Sequence, residues 1–292
     1  MNMTIKKLGL NFVFVLLMVL IIPWMFNCGS KKVGPNTPPE IDIENPPEAP
    51  GVVEGSVDYA PVNEYTNIIQ QAVNSQQVTP EVQSALDTFN VLVGQADVNY
   101  LASIDSTELN NIAAELETTG HLPQRLSDIL DKLAGWNFLP QVTESSTTDT
   151  TGSSKVIWKQ LDYLLSTAFG PFEDCVELVD STYQAQLAIA QQDREDGKAA
   201  AVQKETECKD GQNERLGSLI SAVDAFCSFA PQTICDLLKA TLNISILADL
   251  AACKKLRTST EEAYDDAYNT LVKNLDDWRR AQISSCHETF GG

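Results

Sequence analysis

Six of the seven cysteines in this sequence fall in its second half, with a spacing that points to sulfur chemistry. Cys175, Cys208 and Cys227 precede Pro231, and Cys235, Cys253 and Cys286 follow it. The step from Cys175 to Cys208 is 33 residues and that from Cys253 to Cys286 is also 33, while the inner steps are 19 and 18. Mirror spacing is what two antiparallel helices of equal rise impose on residues that face each other. It predicts three nested disulfides, Cys175–Cys286, Cys208–Cys253 and Cys227–Cys235. Six cysteines allow about 15 pairings, so the sequence alone leaves the connectivity open. Zinc is the competing ligand for such a set, but there is no CxxC pair and neither histidine stands near two cysteines. A thiol catalyst would also be expected to carry a CxxC motif.

The other reactive side chains form no recognisable set. His121 and His287 are the two histidines; one follows Gly120 in a turn between helices and the other adjoins Cys286. No GxSxG or SxxK nucleophile motif occurs, and no glycine-rich phosphate loop. The pairs Glu261-Glu262, Asp265-Asp266 and Asp276-Asp277 recur at near-helical intervals. Glycosidase-type chemistry needs two carboxyls at a fixed separation in a cleft, whereas neighbouring acids on a helix read as a solvated face. The stretch Asp193–Gly197 imitates a calcium loop, yet Gln192 and Arg194 occupy ligand positions and no glutamate closes it. The expectation is therefore no enzyme, no cofactor and no metal.

The elements that would position the cysteines are helical. The return arm carries Tyr264, Tyr268, Leu271, Leu275 and Trp278 at steps of four and three, a coiled-coil seam. The outgoing arm answers with Val176, Val179, Tyr183, Leu187 and Ala190. Gly170-Pro171 breaks the pattern before this arm, and Ala230-Pro231 supplies the reversal. Gly211 and Gly217 are candidate bends, and Thr258 and Ser259, each followed three residues on by Glu, are candidate re-caps. An extended hairpin and a compact bundle of shorter helices both satisfy the spacing. The segment 216–252 is apolar on nearly every side, which favours the bundle or a covering partner, since a two-helix coil buries one stripe.

Before that unit lies a smaller helical one. Residues 62–75 carry Tyr65, Ile68, Ile69, Ala72 and Val73 at helical spacing. Thr79-Pro80-Glu81 opens a second helix with a cap and a proline at its first position. Ser106–Glu117 forms a third that stops at Gly120, and Pro123 opens a fourth, closed by Gly135. The fold expected is all-α: a small helical domain over 56–142, a Ser/Thr linker over 143–154, and a disulfide-stapled helical hairpin or bundle over 155–292.

The chain has 292 residues, 43% of them apolar, with 40 acidic against 20 basic side chains for a net charge of -20. No basic face is available for phosphate contact, which excludes nucleic acid and disfavours anionic lipid headgroups. A cationic protein partner, or plain solubility, fits that charge.

At the N-terminus, Lys6 and Lys7 precede the apolar run Leu8–Phe26, and Asn27-Cys28-Gly29-Ser30 follows. Basic residues and then an apolar core are the order of a secretory signal. The single cysteine after the run resembles the lipobox of bacterial lipoproteins, with Asn27 and Met25 where that family prefers a small residue and an aliphatic one. The resemblance covers about the first 30 residues. It implies a signal peptide over 1–27, a lipid (palmitate-type) anchor on Cys28, and a site in the bacterial cell envelope, at the outer membrane and facing the periplasm or the surface. An uncleaved signal anchor and an ordinary secretory signal are the alternatives. Residues 28–55 hold six prolines and read as an extended tether.

These readings lead to an expectation of a membrane-tethered, non-enzymatic helical binding or scaffold module with an unknown protein partner. Phe226, Phe229, Pro231 and Ile234 at the hairpin tip are the candidate contacts. The alternative is a receptor for a small molecule or ion, with Trp158, Tyr163, Tyr183, Tyr264 and Tyr268 lining a pocket between helices.

Overall fold

The computed structural model describes residues 43–136, 138–148 and 171–290. The signal run, Cys28, the proline-rich stretch through Asp42, and Trp158 and Tyr163 lie outside the described residues. From Ile43 onward the described chain forms one compact unit. Five short helices come first: α1 (Ala60–Ser75), α2 (Pro80–Val93), α3 (Gln95–Ser103), α4 (Ser106–Thr119) and α5 (Gln124–Lys132). Two long ones follow, α6 (Pro171–Cys227) and α7 (Gln232–Phe290), so the described fold is all-α in its bulk.

The short helices begin and end for local reasons. Thr79 Oγ1 accepts from Val82 N at the head of α2, and Asp105 Oδ1 accepts from Thr107 N and Glu108 N at the head of α4. Each satisfies backbone donors that the first helical turn leaves free. Gly94 and Gly120 end α2 and α4 at φ 89° and 76°, a region costly for a residue with a Cβ. Helix α3 was not expected from the sequence: its buried side is only Val98 and Leu101, too few for a visible period.

The long helices form one extended antiparallel hairpin. Helix α6 passes through Gly211 and Gly217 without a break, because a glycine weakens a helix interior by only about 1 kcal/mol and the facing arm supplies far more. Thr258 and Ser259 do not re-cap α7. Their hydroxyls donate to the carbonyls of Lys254 and Leu256 within the same helix. The reversal occupies Ser228–Pro231, with Ile234 N and Cys235 N donating to Pro231 O.

The apolar 216–252 region is covered by the five short helices rather than by a partner. Leu216, Leu219, Val223, Phe226, Leu238, Leu242, Ile244 and Leu247 share one core with Ile69, Leu86, Phe89, Leu101, Leu126, Ile129 and Trp136. The small helical unit and the hairpin tip thus close over each other, and the division expected at 143–154 does not separate two cores.

Two further departures concern the linker and the tether. Gly51–Val53 (β1) pairs antiparallel with Ser146–Thr148 (β4), and Ser56–Asp58 (β2) pairs with Gln141–Thr143 (β3). The two pairings keep one register, so they make a single ribbon interrupted at Glu54-Gly55. Gly55 is needed there because an added Cβ would overlap Thr143 O. Ser145 ties the ribbon to α7, its backbone N donating to Ser259 Oγ and its hydroxyl lying 2.8 Å from Thr260 Oγ1. Further back, Trp278 Nε1 donates to Glu44 O and Glu44 N donates to Gln282 Oε1. Residues 43–58 are therefore strapped along the hairpin, where the sequence suggested a free spacer.

Candidate functional site

The cysteines meet in three rungs. Cys175–Cys286, Cys208–Cys253 and Cys227–Cys235 are disulfide-bonded, with Cα separations of 5.9, 5.7 and 5.3 Å. Between the rungs, polar pairs join the arms in the same register. Arg279 donates to Asp180, Tyr183 Oη donates to Asp276 at 2.6 Å, and Lys198 donates to Asp265 at 2.8 Å. Arg194 shares Asp265, Arg257 donates to Glu205, and Arg215 donates to Asp249. Of the acidic residues singled out from the sequence, Asp265 and Asp276 are acceptors across the arms, while Glu261 and Asp277 pair within α7 with Arg257 and Arg280. Arg194 and Lys198 hold the Asp265 carboxyl below its ordinary range against the opposing effect of burial.

The tip offers less apolar surface than its sequence suggests. Phe226 is in the core at 3% exposure and Ile234 packs against that core, while Pro231 is exposed and Phe229 is 54% exposed. Phe229 stands edge-on to Phe226 with centroids 5.1 Å apart. Of the four candidate contacts, two are structural and two face solvent.

Two of the five aromatic residues proposed as pocket walls do share a cleft. Tyr264 and Tyr268, with Pro50 and Val52 of the strap and Ala190, Arg194, Gly197 and Ala267 of the hairpin, bound a space of about 450 Å³. Gly197 makes the close approach possible, since a Cβ there would overlap the Tyr264 ring. Tyr183 lies elsewhere, bonded to Asp276, with the Arg279 guanidinium 5.2 Å from its ring centroid. His121 is exposed, and His287 stands edge-on to Phe172.

The most concentrated polar chemistry escaped the sequence reading. Tyr59, which precedes α1, places its hydroxyl 2.6 Å from Cys208 Sγ and 3.4 Å from Cys253 Sγ. The Arg215 guanidinium lies 3.7 Å from the centroid of the Tyr59 ring and bonds Asp249 at 3.0 Å. Asp249 is fully buried, and its Oδ1 has no partner among the described residues. Burial pushes its carboxyl up to about 6, and Arg215 offsets only part of that rise. Burial, with the Asp249 charge adding to it, also raises Tyr59, so the phenol stays protonated. The visible signal was Asp249 itself, the lone charge in Thr241–Cys253.

Next to this cluster, Glu205 is 3% exposed and pairs with Arg257 and Lys209, and Glu117 takes Lys209 and Lys254. Comparison of the chain with protein families, curated proteins and solved structures finds no match. Among the described residues no helix is long and apolar enough to cross a membrane.

Proposed function

We propose that this chain is an exported lipoprotein of the bacterial cell envelope, anchored through lipid on Cys28, that acts as a non-enzymatic helical strut and binding module. One observation carries the reading: the strap and the helical head lie at opposite ends of the hairpin. Glu44 bonds Trp278 and Gln282 near the open end, whereas α1–α5 close over the tip. From Gln282 back to Cys235 is 47 residues of continuous helix, about 70 Å at the usual rise. The described chain thus begins, at Ile43, by the open end of the hairpin and carries its helical head at the other end. Three disulfides suit an oxidising compartment outside the cytosol. The acidic surface suits a cationic protein partner and not nucleic acid.

The test is mass spectrometry of the protein from its native membrane. Diacylated Cys28 as the first residue, with Cys28→Ser releasing the chain to the soluble fraction, is the result expected. An unmodified Cys28 thiol in membrane-extracted protein would end the lipoprotein reading.

A second reading, a receptor lipoprotein for a small molecule or ion, draws on the cleft between Tyr264 and Tyr268. Ligand-induced rises in Tm that vanish in Tyr268→Ala would favour it. Equal rises in both proteins would count against that cleft.

A further inference from the structure

The three rungs are not chemically alike. Cys175 and Cys286 are 3% and 2% exposed, and among the described residues no donor reaches their sulfurs. Cys227 and Cys235 sit at the edge of the large core, also without a donor among the described residues. Cys208 is half-buried while Cys253 is fully buried, an asymmetry the tip rung shares, with Cys227 half-buried and Cys235 buried. The middle rung differs from both others on two counts. The Tyr59 hydroxyl donates to this disulfide, and since neither bonded sulfur carries a proton, the direction is fixed. Lysine follows each cysteine, as Cys208-Lys209 and Cys253-Lys254, whereas aspartate follows Cys235 and precedes Cys175. In a chain of net charge -20, the surroundings of this rung are balanced. Lys209, Arg215, Lys254 and Arg257 face Glu117, Glu205, Asp249 and Glu261, and Lys204 and Lys255 stand near Glu207 and Asp210. An incoming thiolate meets less repulsion here than at the open end, where Glu173, Asp174 and Glu177 surround Cys175.

We propose that Cys208–Cys253 is a thiol-exchange site for an external dithiol, with Tyr59 as the hydrogen-bond donor to the sulfurs that are released. The dithiol thiolate attacks Cys208 Sγ, the Cys208–Cys253 bond breaks, and its electron pair goes to Cys253 Sγ. Tyr59 Oη, 3.4 Å away, donates to that departing thiolate, which takes up the proton given up by the reagent's second thiol. The second thiol of the reagent attacks its own sulfur in the mixed disulfide. That step releases Cys208 as a thiolate, to which Tyr59 donates at 2.6 Å, and the reagent leaves as a cyclic disulfide. Two electrons pass from the dithiol to the protein, and two protein thiols result. A better-stabilised leaving thiolate departs faster. Arg215, itself paired with Asp249, lies against the Tyr59 ring. Tyr59 follows directly on β2 and precedes α1, so opening this rung frees the junction of ribbon and head while the end rungs still hold the hairpin.

The experiment is timed reduction of the full oxidised chain with dithiothreitol, alkylation of released thiols, and peptide mapping of each rung. Wild-type protein should release Cys208 and Cys253 before the other four. Tyr59→Phe should slow that rung by about three- to tenfold, the effect of one to two pKa units on the leaving thiol at a Brønsted slope near 0.5. The other rungs, which Tyr59 does not touch, should keep their rates and serve as the control for folding. Repeating the series from pH 7 to pH 9 should raise the rate at every rung with the reagent's thiolate fraction while the order of opening and the Tyr59→Phe effect persist, and a reversed order would count against the assignment. Simultaneous opening of all rungs, earlier opening of an end rung, or an unchanged or faster middle rung in Tyr59→Phe would each overturn the assignment.

Discussion

Replacing Gly197 with alanine tests the packing of the two arms where the Tyr264 ring fills the space beside the glycine. In a helix interior alanine is favoured over glycine by about 1 kcal/mol, so the substitution should stabilise wherever there is room. At Gly197 there is none: the new methyl overlaps the ring of Tyr264 on the facing arm. The arms cannot simply part, because Lys198 and Arg194 hold Asp265 one residue beyond Tyr264, and the Cys208–Cys253 rung lies three helical turns away. Overpacking of this kind costs about 1–3 kcal/mol, which leaves a net destabilisation of about 1 kcal/mol once the helix gain is subtracted. Gly217 on the same helix is the control, since a Cβ there meets nothing within 4 Å. Gly217→Ala should stabilise by about 0.5–1 kcal/mol. The assay is urea unfolding of the oxidised chain followed by circular dichroism. Truncation of Tyr264 to alanine should convert Gly197→Ala from destabilising to stabilising, a coupling the double-mutant cycle reads directly. If Gly197→Ala and Gly217→Ala stabilise alike in the wild-type background, the close approach of the arms at this level is refuted.

The buried carboxyl of Asp249 makes stability depend on pH. With its folded value about 6 against an ordinary 3.8, the native state holds a proton that the unfolded chain has lost between those limits. Stability is then fullest below about pH 4 and falls as pH rises through 6, by about 3 kcal/mol from this group. Asp249→Asn should flatten that part of the profile in urea melts taken from pH 4 to 7. Asn243 donates from Nδ2 to Leu101 O and Ile104 O at the end of α3. Leu101 O also accepts from Ile104 N, so Asn243→Ala takes the side-chain donor from Ile104 O and should lower stability by about 1–3 kcal/mol, with early hydrogen exchange in α3. The rungs close loops of 111, 45 and 8 residues. Paired Cys→Ser changes should therefore cost about 5, 4 and 2.5 kcal/mol in that order on the loop-entropy account, as read by thermal unfolding. The reverse ranking would mean that residual structure in the unfolded chain outweighs loop length.

The hairpin was legible because two properties of this sequence are periodic and local. Mirror spacing of the cysteines needs only the constant rise of a helix, and the cap at Thr79 and the stop at Gly120 act within one turn. The ribbon was not legible. Val52, Val57 and Val142 sit in runs of three residues among glycine, proline, serine and threonine, too short for an alternating pattern to show. Their pairing spans about 90 residues and depends on both segments lying along α7.

The aqueous or buried character of the tip was equally undecided. Phe226 and Phe229 look alike in sequence, and only the placement of α1–α5 puts one in the core and leaves the other exposed. The Tyr59 cluster depended on tertiary contact more completely still. A tyrosine, an arginine, an aspartate and two cysteines from three separate stretches are brought together, and no spacing rule links them. Local helical geometry therefore determined the staple and its register, because rise and periodicity are properties of the chain itself. Which face is covered, and which disulfide receives a donor, was decided by burial in a shared core, because residues distant in sequence compete for the same surface only once the hairpin has closed.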